Sequence, residues 1–420
     1  MRDSPFIHSP LQQADISFVL DEIDRPLVTH KAEVPMIPAS NMKLLISAAA
    51  LLSDKELLPP LQTRSAGKIF SGVLEGDLIL DSCGSPIFSA RFPANLSVQE
   101  QNITIDQQVK AYAKELKKAG VTQVTGDLRI SFDRWHGSSE NSHYSSSAAF
   151  SFHENTLDTS VENGHFLTCP EDPEAFTRTV AKSIPFQANT KGNLISYNPE
   201  VTSRDYWRLS EVSAVEYSRL MLKKYLSRYG VHFLGKKQQV QESNLLFTTD
   251  FTGTLTSFIE PMNKWSDNYR AEILALQLAR AHSGRAEYKY LNSSLAAIFE
   301  QHDLKLSSMN AVDGSGLSRG NLVSAGDVNK LLQFMSQNTH YNDYKSSLAV
   351  AGESGTLKRR FRGTAFEKCF FGKTGTLDGV SSLSGYWQRE GQPLVTMVFI
   401  GNGIEQGVFW QALEKFAANL

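Results

Sequence analysis

Apolar residues recur along this chain at two different periods. From Ile16 to Leu20 they alternate with polar ones, the turn-forming run DEIDR follows, and Pro26 to Val34 returns as a second strand pattern, so an N-terminal hairpin is predicted. In PASNMKLLISAAALL the alternation stops. Pro38 and Ala39 open a stretch rich in Leu, Ile and Ala, which predicts a helix from about Ser40 to Leu52. After Leu57 the texture changes to Pro59 and Pro60, short strand-like pieces between Ile69 and Leu80, a Gly-Ser-Pro turn at Gly84, and irregular serine-rich sequence.

Within that stretch Ile105, Val109, Tyr112 and Leu116 share one helical face that stops at Gly120, and VTQVTGDLRISF is strand-like. Ser213 and Glu216 read as a capping box for a second helix carrying Leu222, Leu226 and Tyr229 on one face and ending at Gly230. From about residue 245 clear helices return, at Tyr269 to Arg280 and at Ala325 to Met335 behind the cap Ser324. GVSSLSGYW and LVTMVFIGNG flank the turn REGQP as two strands, and Phe409, Leu413, Phe416 and Leu420 fall at helical spacing in a last helix. No internal repeat is visible, which excludes solenoids and propellers.

Composition narrows the partners. The chain has 420 residues, 41% hydrophobic and 20% charged, with a net charge of -2. That length predicts more than one domain, and the charge balance excludes a whole-protein field for nucleic acid or an anionic membrane. The basic run Lys358, Arg359, Arg360 and Arg362 reads as a solvated face. Cys83, Cys169 and Cys369 are too few and scattered for a disulfide framework or a CxxC metal site, and the histidines form no HExxH pattern. No transmembrane segment and no signal peptide is recognisable, so the chain is expected to be either cytosolic or a processed or trimmed form.

Three short motifs carry candidate chemistry. In Ser40-Asn41-Met42-Lys43 the spacing i, i+3 brings a lysine amine beside a serine hydroxyl on one helix face, and a partly desolvated lysine can act as the base that serine needs. S-x-x-K arises by chance about once or twice in such a chain. Ser65-Ala66-Gly67-Lys68 is such a match and is set aside, because no helical run follows it. Ser266-Asp267-Asn268 directly precedes a helix. Lys373-Thr374-Gly375-Thr376, before a strand, offers an ammonium, a hydroxyl and an unobstructed glycine to a ligand lying along the strand. The rival phosphate loop GxxxxGKT fails, since Glu367 stands where its first glycine belongs.

In the order serine-lysine, S-D-N, K-T-G these motifs form the signature of class A β-lactamases and penicillin-binding proteins. With PASNMKLLISAAAL, MNKWSDNYRAE, DGSGLSRGNLVS and GTLKRRFRGTAFEKCFFGKTGTLDGVSSLSGYW, the chain resembles the low-molecular-mass class C (type 4) penicillin-binding proteins, the D-Ala-D-Ala carboxypeptidase and endopeptidase family. The resemblance implies an α+β fold: a serine transpeptidase domain with a five-stranded antiparallel sheet and flanking helices, interrupted by a mainly-β insertion of one or two domains. The 226 residues from Ser40 to Ser266, against 107 from Ser266 to Lys373, suit that insertion. Residues 1–66 and 245–420 are expected to be catalytic, and 67–244 inserted.

The resemblance also implies roles. Ser40 attacks a D-Ala-D-Ala carbonyl, Lys43 takes its proton, and Ser266 with Lys373 returns a proton to the leaving amine. Backbone N–H groups of Ser40 and Thr376 receive the oxyanion, Asn268 holds the acyl-side amide, and Lys373 and Thr374 receive the terminal carboxylate. No cofactor or metal is implied. The partners implied are peptidoglycan stem peptides and cross-links, with β-lactam antibiotics as covalent inhibitors, in the periplasm or cell envelope, from which the leader would have been removed. Arg319 matches an arginine that contacts the diaminopimelate side chain in relatives. Their aspartate for that side chain's ammonium is replaced by Ser131, so Asp378 or Asp133 is the expected substitute. A β-lactamase or esterase using the same serine, and a non-catalytic cell-wall-sensing module, are the alternatives.

Overall fold

The computed structural model describes residues 15–23, 25–81, 84, 86–91, 96–131, 135, 151–162, 165–171, 177–180, 186–189, 194–197, 204–208, 214–236, 242–251 and 253–420. The chain divides into two units, Met1–Leu57 with Gly253–Leu420, and Leu58–Thr252.

In the first unit, strands from both ends of the chain meet. β1 (Asp15–Glu22), β2 (Arg25–His30), β3 (Ala349–Val350), β4 (Phe370–Leu377), β5 (Val380–Trp387) and β6 (Val395–Asn402) form one sheet in the order β3-β4-β5-β6-β1-β2. Every pairing is antiparallel. The two-residue β3 adds a sixth strand to the five expected, and it is too short to leave a periodic signal.

Alternation along the strands sorts the two faces. Phe18, Leu383, Met397 and Phe399 enter a core with Phe409, Trp410 and Leu413 of the helix Gln406–Ala418. The intervening residues turn to the other face. There the Ser382 hydroxyl donates to the Pro38 carbonyl at 2.7 Å, Asn41 Nδ2 donates to Ser384 Oγ at 2.7 Å, and Tyr386 donates to the Leu332 carbonyl at 2.8 Å. The serines of GVSSLSGYW thus present a small, polar face against the segment that carries Ser40.

Behind that face runs α1 (Met42–Leu52), all of whose residues are buried. A helix apolar on every side has no solvent face to offer, so it becomes the centre of the fold. Lys43 is its one charged residue. α2 (Leu255–Lys264) and α3 (Asn268–Ser283) pack against it, and α4 (Ala325–Gln337) is capped as expected, Ser324 Oγ accepting from the Asp327 amide. From α4, Asn329 Nδ2 donates to Asp21 while its Oδ1 accepts from Thr396, which fastens the helix to β1 and β6.

The second unit is wider than the 67–244 expected from sequence. Strand Leu61–Phe70 pairs with Val73–Asp81 on one side and with Asn244–Thr249 on the other, so all three share a sheet. Its core joins Leu74, Leu78 and Leu80 to the predicted helical face Ile105, Val109, Tyr112 and Leu116, and to Leu222 and Leu226 of the helix Ala214–Arg228. Among the described residues it also holds two three-stranded sheets and a short parallel pairing of Pro86–Ile87 with Ser151–Phe152. The cap residue Ser213, Cys83 and Asp133 lie outside the described residues, whereas Cys169 and Cys369 are free thiols. Among the described residues no helix is long and apolar enough to cross a membrane.

Candidate active site

Ser40 does not open α1, as its position in the sequence predicts. It sits in a 3₁₀ turn, Ala39–Asn41, that runs into the helix. In such a turn residues i and i+3 eclipse, so Lys43 still lies alongside Ser40. Ala39 holds a left-handed backbone, φ +48°, a strained conformation for a residue with a side chain. Its surroundings over-determine it. A Cβ on Gly316, itself at φ +85°, would fall 1.9 Å from the Ala39 carbonyl oxygen, so the loop behind the turn passes too close for any other residue.

Lys43 is fully buried, and its amine donates to Ser40 Oγ at 2.9 Å, to Asn268 Oδ1 at 2.7 Å and to the Ser315 carbonyl at 2.7 Å. The Ser40 hydroxyl donates to the same carbonyl at 3.3 Å. Burial pushes the Lys43 ammonium down to about 8, against the opposing pull of Glu272, Asp267 and Asp313. An amine of that character, in contact with a serine hydroxyl, can remove its proton near neutral pH.

The S-D-N segment reaches this pair from the start of α3. Asp267 is the N-cap, its carboxylate accepting from the Tyr269 and Arg270 amides, and this sets Asn268 as the first helical residue, facing Lys43. Ser266 adopts φ +63°. Its hydroxyl is hydrogen-bonded to neither Lys43 nor Lys373.

K-T-G lies on β4. Lys373 is buried and donates to the Thr374 carbonyl at 2.8 Å; burial and the nearby Lys43 charge both push its ammonium well down. The Thr374 hydroxyl donates to Thr356 Oγ1 at 2.9 Å. A Cβ on Gly375 would lie 2.2 Å from Ser382 Oγ, 2.8 Å from the Pro38 carbonyl and 2.9 Å from the Ser40 nitrogen, so glycine is what lets β4 press against the serine turn. β3 pairs only with Phe371 and Gly372. Beyond them, among the described residues, no strand covers the outer edge of β4 from Lys373 to Leu377. A peptide can add there as a further strand.

Past that edge Arg319 donates to the backbone carbonyl of Asp378, not to its carboxylate, and Gln406 Nε2 reaches Thr376 Oγ1 at 3.5 Å. Glu272, Asp313 and Ser315 escaped the motif reading. Their signal was present: Glu272 follows Asn268 by four residues, on the same helix face, and is an acid within the apolar run of α3. Among the described residues no group of three or more His, Cys, Asp or Glu side chains is arranged for a metal ion.

The profile of the D-Ala-D-Ala carboxypeptidase 3 (S13) family matches residues 7–166 and 196–418, and the chain belongs to that family. It is 29% identical over 404 residues to the D-alanyl-D-alanine carboxypeptidase of an Actinomadura species, a match covering 84% of this chain and 70% of that protein. It is 24% identical over 436 residues to D-alanyl-D-alanine carboxypeptidase DacB of Haemophilus influenzae, covering 94% and 86%. In fold it is similar to penicillin binding protein 4 of Haemophilus influenzae, solved in complex with a β-lactam, with a TM-score of 0.73 at 21% identity over 98% of this chain and 97% of that one.

Proposed function

We propose that this protein is a serine D-Ala-D-Ala carboxypeptidase and endopeptidase of the bacterial cell envelope, with peptidoglycan stem peptides and cross-links as substrates and β-lactams as covalent inhibitors. One observation carries the mechanism: a fully buried lysine amine, its pKa lowered to about 8, lies 2.9 Å from the Ser40 hydroxyl.

Neutral Lys43 takes the Ser40 proton as Oγ bonds to the carbonyl carbon of the penultimate D-Ala. The negative charge formed on the carbonyl oxygen is received by backbone N–H groups of Ser40 and Thr376. Collapse of the tetrahedral adduct breaks the C–N bond, and the proton that Lys43 took passes to the leaving amine through Ser266 and Lys373, which leaves Lys43 neutral again. Asn268 holds the acyl-side amide, while Lys373 and Thr374 receive the terminal carboxylate. Water then attacks the acyl-serine by the same path in reverse, releasing the acid and restoring Ser40. The uncovered edge of β4 suits an extended peptide, since main-chain pairing would align its scissile bond with Ser40.

The direct test is mass spectrometry of the protein after incubation with a penicillin. A persistent adduct on the peptide containing Ser40 is expected; rapid turnover with no adduct would make the protein a β-lactamase, and no reaction would overturn the acyl-serine reading. The Gly375→Ala variant, whose methyl must displace β4 or the serine turn, is expected to form that adduct roughly 10-fold or more slowly. An unchanged acylation rate would show that the contact of β4 with Ser40 does not matter to the chemistry.

Arg319 and Asp378 place opposite charges at the end of β4, as a side chain ending in both a carboxylate and an ammonium requires. The expected outcome for Asp378→Asn is a loss of turnover about 10-fold greater on diaminopimelate-bearing peptides than on simple D-Ala-D-Ala mimics. Equal losses on both would remove Asp378 from side-chain recognition.

A further inference from the structure

Glu272 lies one turn along α3 from Asn268 and is 1% exposed. Its carboxylate does not touch Lys43. Instead it accepts from two consecutive amides of the loop behind the serine, Gly314 N at 3.2 Å and Ser315 N at 2.9 Å. That loop is pressed against the helix: a Cβ on Gly314 would fall 2.3 Å from the Ala271 carbonyl oxygen. Asp313 clamps its far side, accepting from Gly316 N at 2.7 Å and Ser318 N at 2.6 Å. The Ser315 carbonyl is the acceptor shared by the Lys43 amine and the Ser40 hydroxyl.

The two carboxylates cannot both be comfortable there. Burial pushes the Glu272 carboxyl up, and the Asp313 charge pushes it further, against the hydrogen bonds it accepts from Ser315, Tyr288 and the Gly314 amide. A carboxylate held in a dry interior beside a like charge costs stability, and Glu272 is kept in place by the loop amides that donate to it. The carboxylates that act on Lys43 are Glu272 on α3, Asp267 at its N-cap and Asp313 on the loop, while the Lys43 charge in turn acts on the Lys373 ammonium of β4.

Resting on the acyl-serine reading above, we propose that Glu272 is a positioning residue for that reaction. It holds the Ser315 carbonyl as the fixed point that aims the Lys43 amine at Ser40, and its negative charge is one of those that favour the ammonium form of that amine. These are separable contributions. Glu272→Gln preserves the shape and removes the charge; Glu272→Asp preserves the charge and withdraws the carboxylate from the loop amides.

The experiment measures the acylation rate of Ser40 by a chromogenic β-lactam from pH 5 to pH 10 in the full chain and both variants. Because the Glu272 charge favours the ammonium form of Lys43, its removal makes the amine neutral at lower pH. The acid limb for Glu272→Gln is therefore expected to move down by about one pH unit. For Glu272→Asp the limb is expected to stay in place while the plateau rate falls about 10-fold or more, since two amides lose their acceptor and the carbonyl its anchor. A purely structural carboxylate would lower the melting temperature in both variants and leave both pH profiles superimposable on the wild type, which would overturn the proposal. If instead the wild type is not labelled at Ser40 at all, the acyl-serine reading has failed, and the two failures are told apart by that control.

Discussion

Replacing Ser40 by alanine is expected to abolish covalent labelling by a penicillin and to lower D-Ala-D-Ala peptide hydrolysis by at least about 10⁴-fold. The site offers no substitute nucleophile at the same place. The Ser266 hydroxyl has no hydrogen bond from Lys43, and the Thr374 hydroxyl already donates to Thr356. The Ser40 hydroxyl contributes one long hydrogen bond of 3.3 Å and accepts one from Lys43, so its removal should change stability by no more than about 1 kcal/mol. A folded variant with unchanged melting temperature and no adduct is thus the expected result, read by intact-mass spectrometry beside a thermal melt. An adduct on any other residue of Ser40→Ala would move the nucleophile elsewhere.

The second large effect belongs to Lys43. With its pKa near 8, roughly a tenth of the amine is neutral at pH 7, and the fraction rises to near completion about two units above. Acylation of the wild type should therefore climb as pH rises towards 8 and level off beyond. Lys43→Met keeps most of the volume in this fully packed helix while removing the base and the buried charge. The acylation rate is expected to fall by about 10² to 10⁴-fold and to lose its acid limb. Stability should drop modestly, because Asn268 Oδ1 and the Ser315 carbonyl each lose a donor. Normal-rate acylation by this variant would hand the role of base to another group, with Lys373 the next to examine.

Much of this was legible along the chain because strong local signals coincide with the fold. Strand β1 alternates, β5 and β6 flank a recognisable turn, the helix after Ser40 is rich in Leu, Ile and Ala, and Ser324 caps α4 where its sequence predicts. What escaped depends on long-range contact. No local preference would put Ala39 at φ +48°; the loop at Gly316, far along the chain, holds it there. Glu272 bears no motif, and its meaning lies in amides more than forty residues away. The width of the second unit was missed because Leu61–Phe70 and Asn244–Thr249 are ordinary strands until their pairing is seen. The motifs single out Arg319 and Asp378 one by one, but only the structure reveals that the arginine donates to the backbone carbonyl of Asp378.

The pairing of β1 with β6, Asp15 opposite Asn402 and Glu22 opposite Val395, separates the order of synthesis from the order of folding. A ribosome delivers the serine turn and its lysine more than 300 residues before K-T-G. The strand that β1 needs emerges later still, whereas Leu61–Phe70 finds Val73–Asp81 across a two-residue turn almost at once. Throughout that interval the chain holds Ser40 without β4 beside it. Under the acyl-serine mechanism proposed here, a polypeptide cut short before Phe370 is expected to be silent towards acyl donors, with reactivity arriving as a single event when β4, β5 and β6 join β1 in the sheet.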